Sequence, residues 1–349
     1  MMADNATQQL NNLQILRALA AVGVVLAHLT HSYRVLYNAG NTVPDFFLGN
    51  AGVDLFFVIS GFIMVYASER LFGAPSAGWR FIGRRIARIV PLYWLATLYA
   101  YWMAGGNFKQ LEIIGSFFFL PFPTASGGPI LIVGWTLNYE MFFYFVFAFA
   151  VFLARGRAVI LASAIIIGLI FLGEVTSLRI SPIWRHFTNP LMFEFVMGMW
   201  IAMLFRCDIY PSPRWATWGL AIIGLCLVWF SKSDGGQNFE RVGTWGLGFS
   251  LFVAGVVLGR IEPSGGVWKP LIFIGDASYA IYLTHWFVVL SPPTTLRDIG
   301  PTSSPTVYSI AIISYAIAIG CIVHLIVERP ISRVFRLIGN VKCRRTQPD

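Results

Sequence analysis

The chain has 349 residues, 57% of them hydrophobic and only 12% charged, with a mean hydropathy of +0.69. A soluble globular chain carries about 25% charged residues, so the composition excludes a pair of soluble domains and sets most of the chain against lipid or other apolar helices. The net charge of +9 is no nucleic-acid footprint, because the basic residues cluster in short links between apolar segments, as membrane topology demands.

A membrane span needs about 20 mostly apolar residues. Ten segments fit: 13–33, 50–69, 88–104, 131–153, 158–174, 187–205, 214–231, 242–259, 270–290 and 305–327. The stretch 111–122 is apolar but short and runs into prolines, which reads as re-entrant or interfacial. With the N-terminus inside, the inner links and tail hold seventeen Lys and Arg and the outer links seven. That asymmetry favours an even number of spans with both termini in the cytoplasm. The expected fold is an all-α polytopic transmembrane bundle of about ten spans. Residues 1–12 read as a polar cytoplasmic tail without the basic start of a cleaved leader. Residues 13–328 form one membrane domain, and 329–349 a basic cytoplasmic tail. No internal repeat is evident. The four cysteines lack ligand spacing, so no metal site follows.

The first segment, LQILRALAAVGVVLAHLTHSYR, carries Arg17 and His28. Eleven residues make about three helical turns, so both share one face, roughly 16 Å apart along the axis. His31 falls on the same stripe, where it assists or marks the outer interface. Ionisable groups within a membrane helix are costly and usually mark a functional path. Neutral imidazole suits His28 to accept a proton. The structural alternative has Arg17 snorkelling to the inner headgroups and His28 bonding a carbonyl.

In the second segment Asp54 stands in an apolar run and must seek a cation or a histidine. Orienting His28 would satisfy both groups. Ser60 and Gly61 permit close helix approach or passage of a narrow ligand. At the inner edge of the third segment, Arg85 and Arg88 share a face with Arg84 adjacent. Guanidinium clusters match phosphate oxygens, although such charges also set topology. Pro91 suits a helix start or a kink. The fourth segment holds Asn138, Tyr139 and Glu140 in succession; a pair with another helix's arginine is the plain expectation for Glu140. In the ninth segment Ser278, Tyr282 and His285 form a polar face, with His285 toward the outer end, where it would meet a hydroxyl compound or mark the interface beside Trp286. His324 and Glu328 read as a structural i,i+4 pair, and His186 as a solvated histidine in an outer link.

Five elements in order resemble the acyltransferase-3 family, polytopic bacterial enzymes that O-acylate surface and exported polysaccharides. They are Arg17 and His28 separated by ten residues, GVDLFFVISGF (52–62), the RxxR element Arg85–Arg88, WTLNYEMFFY (135–144) and SYAIYLTH (278–285). The resemblance spans roughly residues 10–335 and looks most like the subgroup that modifies exopolysaccharides. It implies a multi-pass protein of the bacterial inner membrane. Its co-substrate is acyl-CoA, by default acetyl-CoA, held by Arg17, Arg84, Arg85 and Arg88, with no permanently bound cofactor and no metal. The acceptor is a hydroxyl of a polysaccharide, an exopolysaccharide or a lipid-linked oligosaccharide, met on the side of Tyr282 and His285. His28 is the leading catalytic residue, as general base or acyl carrier, with Asp54 or Glu140 orienting it. Membrane lipid is the other partner, and nucleic acid is none. The rival class is a proton-coupled secondary transporter of a sugar or organic anion, which buried His, Asp and Glu also suit. A non-catalytic assembly subunit is a third.

Overall fold

The computed structural model describes residues 10–37, 47–122, 124, 127–176, 181–208, 215–231, 236–260, 263, 265–299 and 305–335. Most of both expected tails (1–9 and 336–349) therefore lies outside the described residues, as do the side chains of His31 and Arg34.

Every regular element among the described residues is helical. In chain order they are α1 (Asn11–Tyr37), α2 (Gly52–Ala67), α3 (Ala77–Met103), α4 (Gln110–Phe118), α5 (Trp135–Ala150), α6 (Arg155–Val175), α7 (Pro182–Phe187), α8 (Met192–Arg206) and α9 (Trp215–Trp229). Next, α10 (Phe239–Arg241) runs through a π-helical turn (Val242–Gly246) into α11 (Leu247–Leu258). Then come α12 (Lys269–Asp276), α13 (Ser278–Leu290), α14 (Thr294–Ile299) and α15 (Pro305–Val323), the last continued by a second π-helical turn (His324–Glu328).

All ten expected segments fall on helices. Among the described residues seven helices are long and apolar enough to cross a membrane, or up to eight if α12 and α13 form one broken span. The difference from ten has local causes. α9 has 15 residues, short of a full crossing. α3 is 27 residues long but carries Arg80, Arg84, Arg85 and Arg88 in its first half. Pro91 lies inside α3 and does not start it. The stretch 111–122, read as re-entrant or interfacial, overlaps α4, a nine-residue helix tied to α3 by Tyr93 Oη donating to the Ser116 carbonyl and Trp94 Nε1 to that of Phe117, each at 2.8 Å.

Two close approaches set the positions of the elements that matter. α2 and α8 meet backbone to backbone: a Cβ on Gly61 would overlap the Phe195 carbonyl, and one on Gly198 that of Val58. Without a hydrophobic driving force between helices in lipid, such small residues let backbones pack closely. The second approach lies just before the break between α12 and α13, where the axis turns by 66°. Gly275, the penultimate residue of α12, sits against the Gln14 backbone of α1 where a side chain has no room. The turn carries Ser278, Ala280, Tyr282 and His285 into buried positions. Large side chains such as Trp102, Phe171 and Trp229 are exposed on the outside of the bundle.

Gly61→Val forces α2 and α8 apart by overpacking, which typically costs about 1–3 kcal/mol or more. The expected result is a lower thermal unfolding midpoint and early aggregation in detergent, whereas Gly83→Val, at a glycine with open space beside it, leaves both unchanged.

Candidate active site

A cavity of about 100 Å³ lies between α1, α2, α3, α5 and α13. Three guanidinium groups line it: Arg17 from α1, and Arg85 and Arg88 from α3. Arg17 is only 8% exposed and donates from Nη1 to Gln14 Oε1 at 3.2 Å. Arg85 lies over the rings of Phe81 and Tyr144, at 5.6 and 5.7 Å from their centroids. Glu140 faces the same space. Its Oε1 accepts from Ser60 Oγ at 2.9 Å and from the Tyr144 hydroxyl. Three cations against one carboxylate make this a site for an anion, and guanidinium forks suit phosphate in particular. The rest of the lining includes Phe56, Phe57, Ile63 and Leu137, an apolar surface beyond the charged mouth.

Tyr282 is the cavity's link to the histidines. Its hydroxyl donates to the Val133 carbonyl at 2.9 Å and lies 2.8 Å from Thr136 Oγ1. Its ring is 5.8 Å from that of His285. His285 Nε2 in turn lies 3.3 Å from His28 Nδ1, with the ring centroids 5.2 Å apart. Trp286 meets the His28 ring edge-on at 5.4 Å. Arg17 and His28, placed on one stripe by their spacing, thus bracket a path that runs from guanidinium groups through Glu140 and Tyr282 to paired imidazoles. His28 does not itself line the cavity; it stands behind Tyr282 and His285, the second ring beyond the lining.

The match to known sequences agrees with this arrangement. The model of the acyltransferase domain family fits residues 10–325. The chain belongs to that family. It is an acyltransferase and a multi-pass membrane protein, which sets aside the transporter and assembly-subunit readings. It is similar to the exopolysaccharide production protein ExoZ of Rhizobium meliloti, 34% identical over 86% of this chain and 94% of that one. It is also similar to the acyltransferase MdmB of Streptomyces mycarofaciens, 25% identical over 86% of this chain and 85% of that one. No solved structure matches it.

Within this acyltransferase several expected site residues go elsewhere. Asp54 does not meet His28. It is fully buried and accepts from Arg241 Nε at 2.9 and 3.2 Å and from Nη2 at 2.8 Å. Arg241 also donates to the Asn50 carbonyl at 3.3 Å and lies 5.0 Å over the Trp245 ring. A cation with a fork of donors outcompetes a single imidazole nitrogen for a buried carboxylate. Glu194 of α8 is fully buried beside this pair, and among the described residues its carboxylate oxygens have no hydrogen-bond partner. Arg84 is exposed and not in the cavity lining, because it sits about 100° around the helix from Arg85. His285 is fully buried, not presented at an outer surface. His186 is buried too, stacked on Tyr139 at 3.9 Å, since α7 folds back against α5. Ser60 and Gly61 divide the two roles expected of them: Ser60 lines the cavity and Gly61 packs on α8. His324 Nδ1 and Glu328 Oε2 pair at 2.7 Å, as their spacing suggests.

Sequence reasoning missed two members of the buried ion cluster. Arg241 reads as an ordinary outer-link charge, although Asp54 required a cation. Glu194, in MFEFVMGMW, carries the same signal as Asp54, a lone carboxylate in an apolar run.

Removing one partner of a buried pair leaves an uncompensated charge, worth about 3–5 kcal/mol. Arg241→Leu therefore lowers the unfolding midpoint in detergent strongly. Adding Asp54→Leu to it recovers much of the loss, and the recovery measures the pair's coupling. A midpoint for Arg241→Leu equal to wild type contradicts this assignment.

Proposed function

We propose that this acyltransferase moves an acyl group, acetyl in the first instance, from cytosolic acyl-CoA to a hydroxyl of a cell-surface polysaccharide, an exopolysaccharide or its lipid-linked precursor. The observation that carries the reading is the single cavity joining three arginines to Tyr282, one ring short of the His285–His28 pair. The similarity to a protein named for exopolysaccharide production supports the acceptor class. The bias of Lys and Arg supports ten spans with both termini in the cytoplasm of a bacterial inner membrane. In that frame the arginines stand at the cytosolic edge and the histidines toward the exterior.

The chemistry follows from the groups. Arg85 and Arg88 hold the phosphates of the donor and Arg17 adds charge deeper in. The apolar lining takes the pantetheine arm, while Glu140, oriented by Ser60 and Tyr144, accepts a hydrogen bond from an amide N–H. The thioester is already activated, so a base suffices. His28 takes the proton of the acceptor hydroxyl as its oxygen bonds to the thioester carbonyl carbon. The carbon–sulfur bond then breaks, and the proton passes to the leaving thiolate. The position of His28 outside the cavity favours this base role over a transient acyl-histidine, because the acceptor oxygen bridges the remaining gap.

The test uses purified protein in detergent. His28→Ala lowers acyl transfer by about 100-fold or more, the range for losing a general base, yet keeps the thermal stabilisation given by acetyl-CoA. Arg85→Ala with Arg88→Ala removes that stabilisation and raises the KM for acetyl-CoA. Unchanged acylation of the host's surface glycans with His28→Ala, read by mass spectrometry, sinks the proposal.

A further inference from the structure

Backbone carbonyls decide the protonation of the histidine pair. A carbonyl oxygen only accepts, so an imidazole nitrogen bonded to one carries the hydrogen. His285 Nδ1 lies 3.2 Å from the Ile281 carbonyl oxygen. Nδ1 of His285 is therefore the N–H, and Nε2 of the neutral ring is the acceptor. The same logic fixes the other ring. His28 Nδ1 lies 3.0 Å from the Val24 carbonyl oxygen and 3.3 Å from His285 Nε2. Its hydrogen is shared between two acceptors, one on α1 and one on α13. The remaining nitrogen of His28, Nε2, is the basic one.

Catalytic imidazoles are usually oriented by a carboxylate on the far nitrogen. Both candidate carboxylates are engaged elsewhere here. Asp54 is clamped by Arg241, and Glu140 accepts from Ser60 and Tyr144. His285 is fully buried and does not line the cavity. The Val24 carbonyl belongs to the preceding turn of His28's own helix and fixes the tautomer. A second acceptor on another helix also fixes how the ring is turned.

We propose that His285 is a positioning residue: a neutral imidazole acceptor that holds His28 Nδ1–H so that Nε2 is the nitrogen offered to the acceptor hydroxyl. This rests on His28 being the base, and it makes the two-histidine contact part of the transfer machinery. When Nε2 takes the hydroxyl proton, Nδ1–H keeps its bond to His285 and the charge spreads into a pair rather than one ring. No proton needs to leave Nδ1.

Two variants separate this role from a packing role. In His285→Gln the amide oxygen replaces Nε2 as acceptor. His285→Met fills the space with a sulfur that accepts weakly. The expected result is that His285→Gln keeps most of kcat. His285→Met loses about 10–100-fold, the range seen when an orienting partner is removed, with the KM for acetyl-CoA and the stabilisation by it unchanged. Equal loss in both variants, or a His285→Met enzyme at the wild-type rate, overturns the proposal. Nitrogen-15 NMR of histidine-labelled protein gives a reading independent of turnover. His28 bearing its hydrogen on Nδ1 supports the assignment, and His28 bearing it on Nε2 overturns it. That keeps its failure distinct from failure of acyl transfer itself.

Discussion

Inside a bilayer a charged side chain has no water to fall back on, and this constraint orders the interior of the bundle. Every buried ion must find its counterpart on another helix or line a cavity. Asp54 and Arg241 satisfy each other. Arg17, Arg85 and Arg88 instead share a hollow with a single carboxylate. The first group ties α2 to the α10–α11 segment. The second leaves positive charge in excess. That division separates a structural ion cluster from a site with affinity for an anion.

The same constraint explains what could be read from the sequence. Arg17 and His28 were legible because a helix fixes the angle between residues eleven apart, whatever surrounds it. Arg85 and Arg88 were legible on the same ground, and so were His324 and Glu328. The partners of Asp54 were not, because a carboxylate's need for a cation says nothing about which of several helices supplies it. Arg241 is 187 residues away along the chain. The burial of His285 and the pairing of its ring with His28 depended on the 66° break before α13, and nothing in the apolar pattern of 270–290 marks that break beyond Gly275 and Asp276. His186 misled for the opposite reason: a short helix beside prolines looks like a solvated link, but α7 packs its histidine on Tyr139.

The aromatic residues do two different jobs. Those on the outside of the bundle meet lipid. Those inside form two runs of contacts, one from Arg85 over Tyr144 and one from Tyr282 to His285, His28 and Trp286. Rings are well suited to this route, since each presents an apolar body and, in Tyr and His, one polar atom to be placed. The polar atoms are the ones that are spoken for: Tyr282 by Val133 and Thr136, Tyr279 by the Ile89 carbonyl at 2.7 Å.

The cavity has walls of unequal stiffness. On one side α2 rests on α8 through glycine and main chain, leaving no slack between them. On the other, the middle of α3 leans on its neighbours through long side chains, Arg85 on Tyr144 and Ile89 through Tyr279. Side chains change rotamer at little cost, whereas touching backbones move only as one body. Any dilation of the cavity thus falls to the middle of α3, and with it α4, which is pinned to α3 through Tyr93 and Trp94. Arg85 and Arg88 ride on this compliant wall while Arg17 does not, and the Tyr279–Ile89 bond carries any movement of α3 into α13, the helix that bears His285.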